Sequence, residues 1–245
     1  MKTIVVIPAR YKSSRFPGKP LVPLLGKPMI LWVAELNSVA VGDKNVYIAT
    51  DDQRIADVVT LAGYNVVMTS EDALTGTDRL AEVAQKVEAD IYINVQGDEP
   101  LVSHEDILRI RDVKCKHMDA VINGFCWISE QEEPHSVNIP KVITTENNKR
   151  IYMSRLALPG FKDKKYAPVR YKKQVCIYAF SREELCMFSE FGRKSILEQA
   201  EDIEILRFLE LGKEILMVET QPGSLAVDVP EDILVVEQAL REVAQ

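Results

Sequence analysis

Residues 3–19 read T-I-V-V-I-P-A-R-Y-K-S-S-R-F-P-G-K. The first six, T-I-V-V-I-P, are rich in β-branched residues and almost continuously apolar, as in a strand covered on both faces. A basic loop follows at once. Further runs of this kind recur at 45–50 (N-V-Y-I-A-T), 65–69 (N-V-V-M-T), 91–95 (I-Y-I-N-V) and 119–126 (D-A-V-I-N-G-F-C). Between them lie helix-length amphipathic segments at about 28–40, 53–62, 77–88 and 103–117. The last opens on Ser103-x-x-Asp106, a variant of the capping box. Strand and helix in alternation predict a parallel sheet with helices on both faces, joined by right-handed crossovers.

Beyond residue 128 the pattern changes. Residues 136–180 hold polar, turn-rich strands (V-N-I-P-K-V-I-T-T, K-R-I-Y-M-S-R, K-Q-V-C-I-Y-A-F), with Asn147-Asn148 as a turn. Helices are expected at about 181–190 and 198–212, the second ending near Gly212. A strand at 214–219 leads to Ala226–Val229, and Pro230 opens a final helix to about 243. The expected architecture is α/β: a three-layer, mostly parallel, Rossmann-like sheet with an inserted antiparallel ribbon, in one domain over 1–245.

Composition narrows the function classes. The chain has 245 residues, 47% hydrophobic and 27% charged, which is a globular composition. A net charge of −7 disfavours general nucleic-acid or anionic-membrane binding. Cys115, Cys126, Cys176 and Cys186 lack C-x2-C spacing, and His104, His117 and His135 are scattered, so no zinc or redox motif is present. The four thiols are expected to be reduced. No apolar run approaches the ~20 residues of a membrane span, and no export signal is evident, so a cytoplasmic location is expected.

The acidic balance hides a local reversal. Residues 1–34 contain Lys2, Arg10, Lys12, Arg15, Lys19 and Lys27 and no acid, leaving 24 bases against 37 acids elsewhere. The cations cluster at Arg10–Lys19, where the first strand ends. In open α/β sheets ligands bind beyond the carboxyl ends of the strands. A loop there with Ser13, Ser14, Gly18 and free backbone N–H groups suits a polyphosphate. It is neither G-x-x-x-x-G-K-[ST] nor G-x-G-x-x-G, which disfavours a Walker ATPase and a dinucleotide-dependent oxidoreductase.

Carboxylates stand at other strand ends. Asp98, in N-V-Q-G-D-E-P, turns over the same sheet edge as the basic loop. Asp228, in L-A-V-D-V-P-E-D, repeats the order of apolar strand, Asp and helix. Each could cap a helix, or hold Mg2+, which takes one or two carboxylates with phosphate and water. Thr75-Gly76-Thr77-Asp78-Arg79 opens a helix; Thr77 could cap it, or the small residues could let a base lie against the backbone.

Six segments together resemble one family. I-P-A-R-Y-K-S-S-R-F-P-G-K-P-L (7–21), A-T-D-D-Q-R-I (49–55), G-T-D-R-L-A-E-V (76–83), N-V-Q-G-D-E-P (94–100), Y-M-S-R (152–155) and V-D-V-P-E-D (227–232) are similar in order and spacing to the CMP-Kdo synthetases, the 3-deoxy-manno-octulosonate cytidylyltransferases. The resemblance implies a nucleotidyltransferase that joins CTP to a 3-deoxy-2-ulosonic acid, releases pyrophosphate with Mg2+, and works as a cytoplasmic homodimer. It implies a nucleotide-binding half at about 1–128 and a sugar-binding and dimerisation half at about 129–245. Carried over by position, triphosphate contacts fall on Ala9, Arg10, Ser13, Arg15 and Lys19, with cytosine contacts on Gly76, Thr77 and Arg79. Gln96 lies beside nucleotide and sugar, the metal carboxylates are Asp98 and Asp228, and the sugar contacts are Arg155, Tyr178 and Glu204.

This chain departs from the family pattern in the sugar half. The family's H-[LV]-G-I-Y-x-Y is here Gln174-Val-Cys176-Ile-Tyr178-Ala-Phe180, placing Gln174 at the sugar, and in the L-E-Q-L-R segment Ile205 replaces the amide. Buried hydrogen-bonding groups discriminate sugars strongly, so activity class is better defined than substrate identity. The alternatives are an amino-substituted or sialic-acid-like acid as substrate, or a catalytically silent nucleotide-binding protein.

Overall fold

A computed structural model describes every residue except 14, 15, 131, 223, 224, 244 and 245. Arg15, one of the expected triphosphate contacts, therefore lies outside the described residues. The first half follows the expected alternation: β1 (Thr3–Ala9), a small hairpin of β2 (Pro23–Leu24) and β3 (Lys27–Pro28), α1 (Met29–Val41), β4 (Val46–Thr50), α2 (Gln53–Leu61), β5 (Asn65–Met68), α3 (Gly76–Lys86), β6 (Ile91–Val95), α4 (His104–Lys116) and β7 (Val121–Trp127). The second half holds β8 (Lys141–Thr144), β9 (Arg150–Ser154), β10 (Lys172–Phe180), α5 (Arg182–Glu190), α6 (Ile196–Glu201), α7 (Arg207–Glu210), β11 (Ile215–Glu219) and α8 (Asp232–Val243).

The central sheet runs β11-β7-β10-β6-β1-β4-β5. β1 pairs in parallel with β4 and β6, β4 with β5, and β7 with β11, whereas β10 lies antiparallel between β6 and β7. The antiparallel piece is thus more than an added ribbon. Its last strand enters the middle of the sheet, while β8 and β9 extend from it as a hairpin whose turn is Asn147-Asn148. Thr145 N–H donates to Lys149 O at 2.9 Å across that turn, and Asn148 takes φ 58°.

Burial follows from the sequence pattern. Residues 4–9 of β1 and all five of β6 are buried, which their unbroken apolar runs require. Ile30, Val33, Ile55, Val59, Ile107 and Ile110 from α1, α2 and α4 form the core on one face of the sheet. Leu80, Val83, Leu185, Phe188 and Phe208 from α3, α5 and α7 form the core on the other. Val236 and Leu240 of α8 pack on Leu24 and Met29, together with Val227. No helix among the described residues is long and apolar enough to cross a membrane.

Four local expectations are corrected. Ser103 makes no capping bond to α4; its hydroxyl binds Glu105, while Asp106 accepts the Gln221 N–H at 2.9 Å. The helix expected at 198–212 is broken. Capping boxes at Ser181–Glu184 and Ser195–Glu198 start α5 and α6, but Asp202 is left-handed (φ 50°), and Arg155 binds the Glu201 and Asp202 carbonyls that would continue the helix. The segment before Asp228 forms no strand, and Pro230 sits in a turn two residues before α8. Around Asp228 the capping carboxylate is that of Asp232, whose Oδ2 accepts the N–H groups of Asp228 and Val229.

Candidate active site

Three chain segments meet beyond the carboxyl ends of β1 and β6. The loop after β1 folds back on itself because Gly18 donates its N–H to Tyr11 O at 2.9 Å with φ 71°, a conformation that glycine adopts without strain. Lys19 then starts a single 3-10 turn over Lys19–Leu21, with Pro20 at its second position. Its Nζ lies 2.6 Å from Asp98 Oδ2 and 3.7 Å from Asp228 Oδ1. The bond that brings Asp228 there is Val227 N–H to Asp98 O, at 2.9 Å. Residues separated by more than a hundred positions in sequence thus share one charge cluster.

Asp98 depends on a glycine. Gly97 passes so close to β1 that a Cβ there would stand 2.9 Å from Pro8 O. The Q-G-D turn therefore needs glycine for space.

This cluster lines a cleft of about 510 Å3. Arg10, Ser13, Lys19, Asp98 and Asp228 lie along one stretch of it, and Gly76, Arg79 and Gln96 along another. Arg155, Gln174, Tyr178 and Glu204 line the remainder. Two expected contacts lie behind the wall. Ala9 is buried at the end of β1, with Pro8 facing the cleft instead, and Thr77 is 1% exposed. Thr77 does not cap α3 either; Thr75 does, its hydroxyl accepting the Asp78 N–H at 3.2 Å.

Several lining residues are already engaged. Arg79 pairs with Asp51 at 2.8 Å and donates to Thr69 Oγ1 and Ser70 O. Glu204 accepts the Thr77 N–H at 3.1 Å; burial raises its carboxyl above the ordinary range, a shift opposed by that bond. Gln174 Nε2 lies 3.2 Å from both Asn123 Oδ1 and the Tyr178 hydroxyl. Burial likewise pushes the Cys176 thiol and the Tyr178 phenol up, so both stay protonated near neutrality. Gln174 and Cys176 face the cleft, as does Ile203, which stands where the family has leucine, whereas Phe180 stacks between Tyr178 and Phe208, and Ile205 is core.

Sequence reasoning passed over Lys194, Glu198 and Asp202, which line the cleft near Arg155. It also passed over Arg207, which is fully buried. Arg207 binds Glu198 at 2.7 and 2.8 Å and Asp78 at 2.8 Å, tying the start of α3 to α6. The two capping boxes were readable as S-x-x-E; the broken helix around Asp202 was not.

The cleft thus joins a cationic loop, two converging carboxylates, a small-residue helix start and a polar recess. That is the equipment for holding a charged nucleotide tail next to a second polar molecule. The Cytidylyltransferase family model matches residues 4–215. The chain belongs to the cytidylyltransferase family. Among its relatives, the 3-deoxy-manno-octulosonate cytidylyltransferase of Geobacter metallireducens is 41% identical, with 95% of each chain covered. The 8-amino-3,8-dideoxy-manno-octulosonate cytidylyltransferase of Shewanella baltica is 39% identical, covering 98% of this chain and 99% of that one. A solved structure of CMP:2-keto-3-deoxy-manno-octonic acid synthetase complexed with CTP superposes with a TM-score of 0.92 and 38% identity, over 99% of this chain and 100% of that one.

As in other members of the cytidylyltransferase family, the reaction class implies a divalent ion. Asp98 and Asp228 converge where Lys19 Nζ now sits, so the point already attracts positive charge. Among the described residues no third His, Cys, Asp or Glu joins them. Two carboxylates with phosphate and water fit Mg2+, which rarely takes an all-protein cage.

Proposed function

We propose that this enzyme couples CTP to a 3-deoxy-2-ulosonic acid, giving the CMP-sugar and pyrophosphate. The observation that carries the reading is the convergence of Lys19, Asp98 and Asp228 at 2.6 and 3.7 Å in one cleft with Gly76 and Gln96. Residues 1–128 supply most of the nucleotide contacts and residues 129–245 most of the sugar contacts.

The anomeric hydroxyl attacks the α-phosphorus in line with departing pyrophosphate. The new bond is sugar oxygen to phosphorus, the bond to the β-phosphate bridging oxygen breaks, and the hydroxyl proton is released to solvent. Catalysis of such a step is mainly positioning and charge neutralisation. Arg10 and Lys19 face the triphosphate tail and spread the charge that builds on the leaving group. Asp98 and Asp228 would hold Mg2+, whose contribution when bound is to neutralise phosphate charge. Lys19 then turns from its carboxylate partners towards phosphate oxygen. Gly76 adds no side chain of its own where Pro8, Gln96 and Glu204 already crowd the helix start, which leaves room for the base, and Gln96 lies between base and sugar.

The acid bound beside the nucleotide is 3-deoxy-manno-octulosonate or a close relative. An amino-substituted relative is the second reading, favoured by the carboxylates of Glu204 and Asp202 at the sugar end, which suit an ammonium group. A homodimer in the cytoplasm is the working state this reading carries. Pyrophosphate release from CTP and Mg2+ with a panel of 3-deoxy-ulosonates tests it. Turnover with at least one acid is expected; CTP binding without turnover on any of them would leave a silent nucleotide-binding protein.

A further inference from the structure

Resting on that reading, we infer that Lys194, and not Arg155, is the cation that receives the carboxylate of the sugar acid. Arg155 is the obvious candidate by chemistry, since a guanidinium fork matches a carboxylate. Its three nitrogens are all in use. Nε donates to Glu201 O, Nη1 to Val137 O at 2.8 Å and Nη2 to Asp202 O at 2.9 Å. The Nε–Nη2 edge of the fork therefore holds the Glu201 and Asp202 carbonyls, and Nη1 is tied to Val137 O. Arg155 also accounts for the end of α6, because it takes the carbonyls there. Moving it onto a ligand would leave those carbonyls unbonded.

Lys194 lines the same end of the cleft, and its charge is not consumed by the fold. Among the described residues its ammonium has one ion-pair contact, Asp202 Oδ1 at 3.5 Å, too long for a good N–H···O bond. The Asp202 side chain is 78% exposed, so the pair is a weak, solvated one. The other acid beside it is spoken for, since Glu198 holds Arg207 with both oxygens. The backbone of Lys194 is fixed even though its ammonium is not. It precedes Ser195, which is fully buried and caps α6 in a reciprocal bond with Glu198. A rigid base with a flexible four-carbon stem lets the ammonium leave Asp202 for an arriving carboxylate. Without it, an anionic sugar would enter a recess whose neighbouring side chains include Glu204 and Asp202. In the free enzyme Asp202 competes with the substrate for the same ammonium.

That competition gives the test an opposed sign. Initial rates of pyrophosphate release are measured at saturating CTP and Mg2+, with 3-deoxy-manno-octulosonate and its 8-amino-8-deoxy analogue as substrates. Lys194→Met is expected to raise KM for the acid tenfold or more, with KM for CTP and the melting temperature unchanged. Lys194→Arg should recover most of the loss, and Asp202→Asn should lower KM for 3-deoxy-manno-octulosonate, the substrate without an ammonium group. The 1-carboxamide of the substrate, used as a competitive inhibitor, should bind wild type and Lys194→Met alike. An acid KM within twofold of wild type in Lys194→Met overturns the inference. So does an equal rise in Lys194→Met and Asp202→Asn, the pattern of an ion pair that only holds its loop. Both outcomes are read against a wild type that turns over. A wild type that releases no pyrophosphate with any acid of the panel overturns the functional reading itself, and the inference with it.

Discussion

Gly97→Ala isolates how the fold aims the charge cluster. The added Cβ would meet Pro8 O at 2.9 Å, and Ile30 Cδ1 and Ile7 Cγ2 at 3.4 Å. An ordinary contact begins at 3.4 Å, so the carbonyl and the new methyl must separate by about half an ångström. β1 cannot give way, because Pro8 is locked in register with Ala49 of β4 in the middle of a buried sheet. The Gln96–Asp98 turn must move instead. That movement strains both the 2.9 Å bond from Val227 N–H to Asp98 O and the 2.6 Å contact with Lys19. Overpacking of this kind costs about 1–3 kcal/mol. A 1 Å misplacement of reacting groups costs on the order of a hundredfold in rate, so half that shift implies roughly tenfold. The assay pairs kcat/KM from pyrophosphate release with a urea midpoint, and Gly160→Ala, which meets nothing within 4 Å, serves as the neutral control. A Gly97→Ala protein with wild-type stability and a rate within twofold of wild type would refute the claim that backbone crowding at Pro8 places Asp98.

Lys19→Ala and Asp98→Asn should each reduce turnover about a hundredfold, the usual loss when one preorganised charge contact is removed, with the circular dichroism of the fold retained; more than a tenth of wild-type activity in either variant counts against the assignment. Glu184→Ala should destabilise the fold by about 3–5 kcal/mol, because it leaves Lys114, fully buried on α4, with only the Met118 and Ala120 carbonyls. The double change Lys114→Met with Glu184→Leu should recover much of that loss in chemical denaturation, and no recovery would mean the carboxylate acts mainly as the α5 cap. Burial raises the Cys126 thiol to about 11 from its ordinary 9.0. The folded value is the higher one, so this stabilisation is complete below pH 9 and disappears as pH rises through 11. Between those limits the wild type should lose stability relative to Cys126→Ala, and parallel stability curves would exclude the effect.

The parts of the fold readable in the sequence are those set by short-range pattern. Buried parallel strands must be apolar on both faces, so residues 3–8 and 91–95 announce themselves, and the amphipathic runs between them give α1 to α4 within a residue or two. The place of β10 is not written locally. Its pattern, K-Q-V-C-I-Y-A-F, suits an antiparallel strand anywhere, and only pairing with Asn94 on one side and Asn123 on the other seats it in the sheet centre. The break at Asp202 depends on Arg155, 47 residues earlier, taking carbonyls from the helix end. Thr77 is the cap the sequence suggests, but Thr75 takes that role and the Thr77 N–H goes to Glu204, 127 residues away. These three misses each turn on a partner distant in the chain.

The same distance explains why the cleft is a property of the whole chain. The basic loop and Asp98 come from the first half, but two long-range bonds set their relation to the rest. Val227 N–H on Asp98 O carries Asp228 to Lys19, and Arg207 on Asp78 carries the α6 region, with Lys194 and Glu198, to the start of α3. Arg207 is fully buried with its guanidinium over the Phe188 ring at 3.7 Å, so each of its carboxylate bonds acts in a weakly screened setting. Loss of either carboxylate would leave that charge undercompensated, which ties the relative position of the two cleft walls to the stability of the core. Variation in sugar preference is then easiest where a side chain faces the cleft without supporting that network. Gln174, Cys176 and Lys194 meet this condition; Arg155, Glu198 and Glu204, each committed to the backbone or to a buried partner, do not.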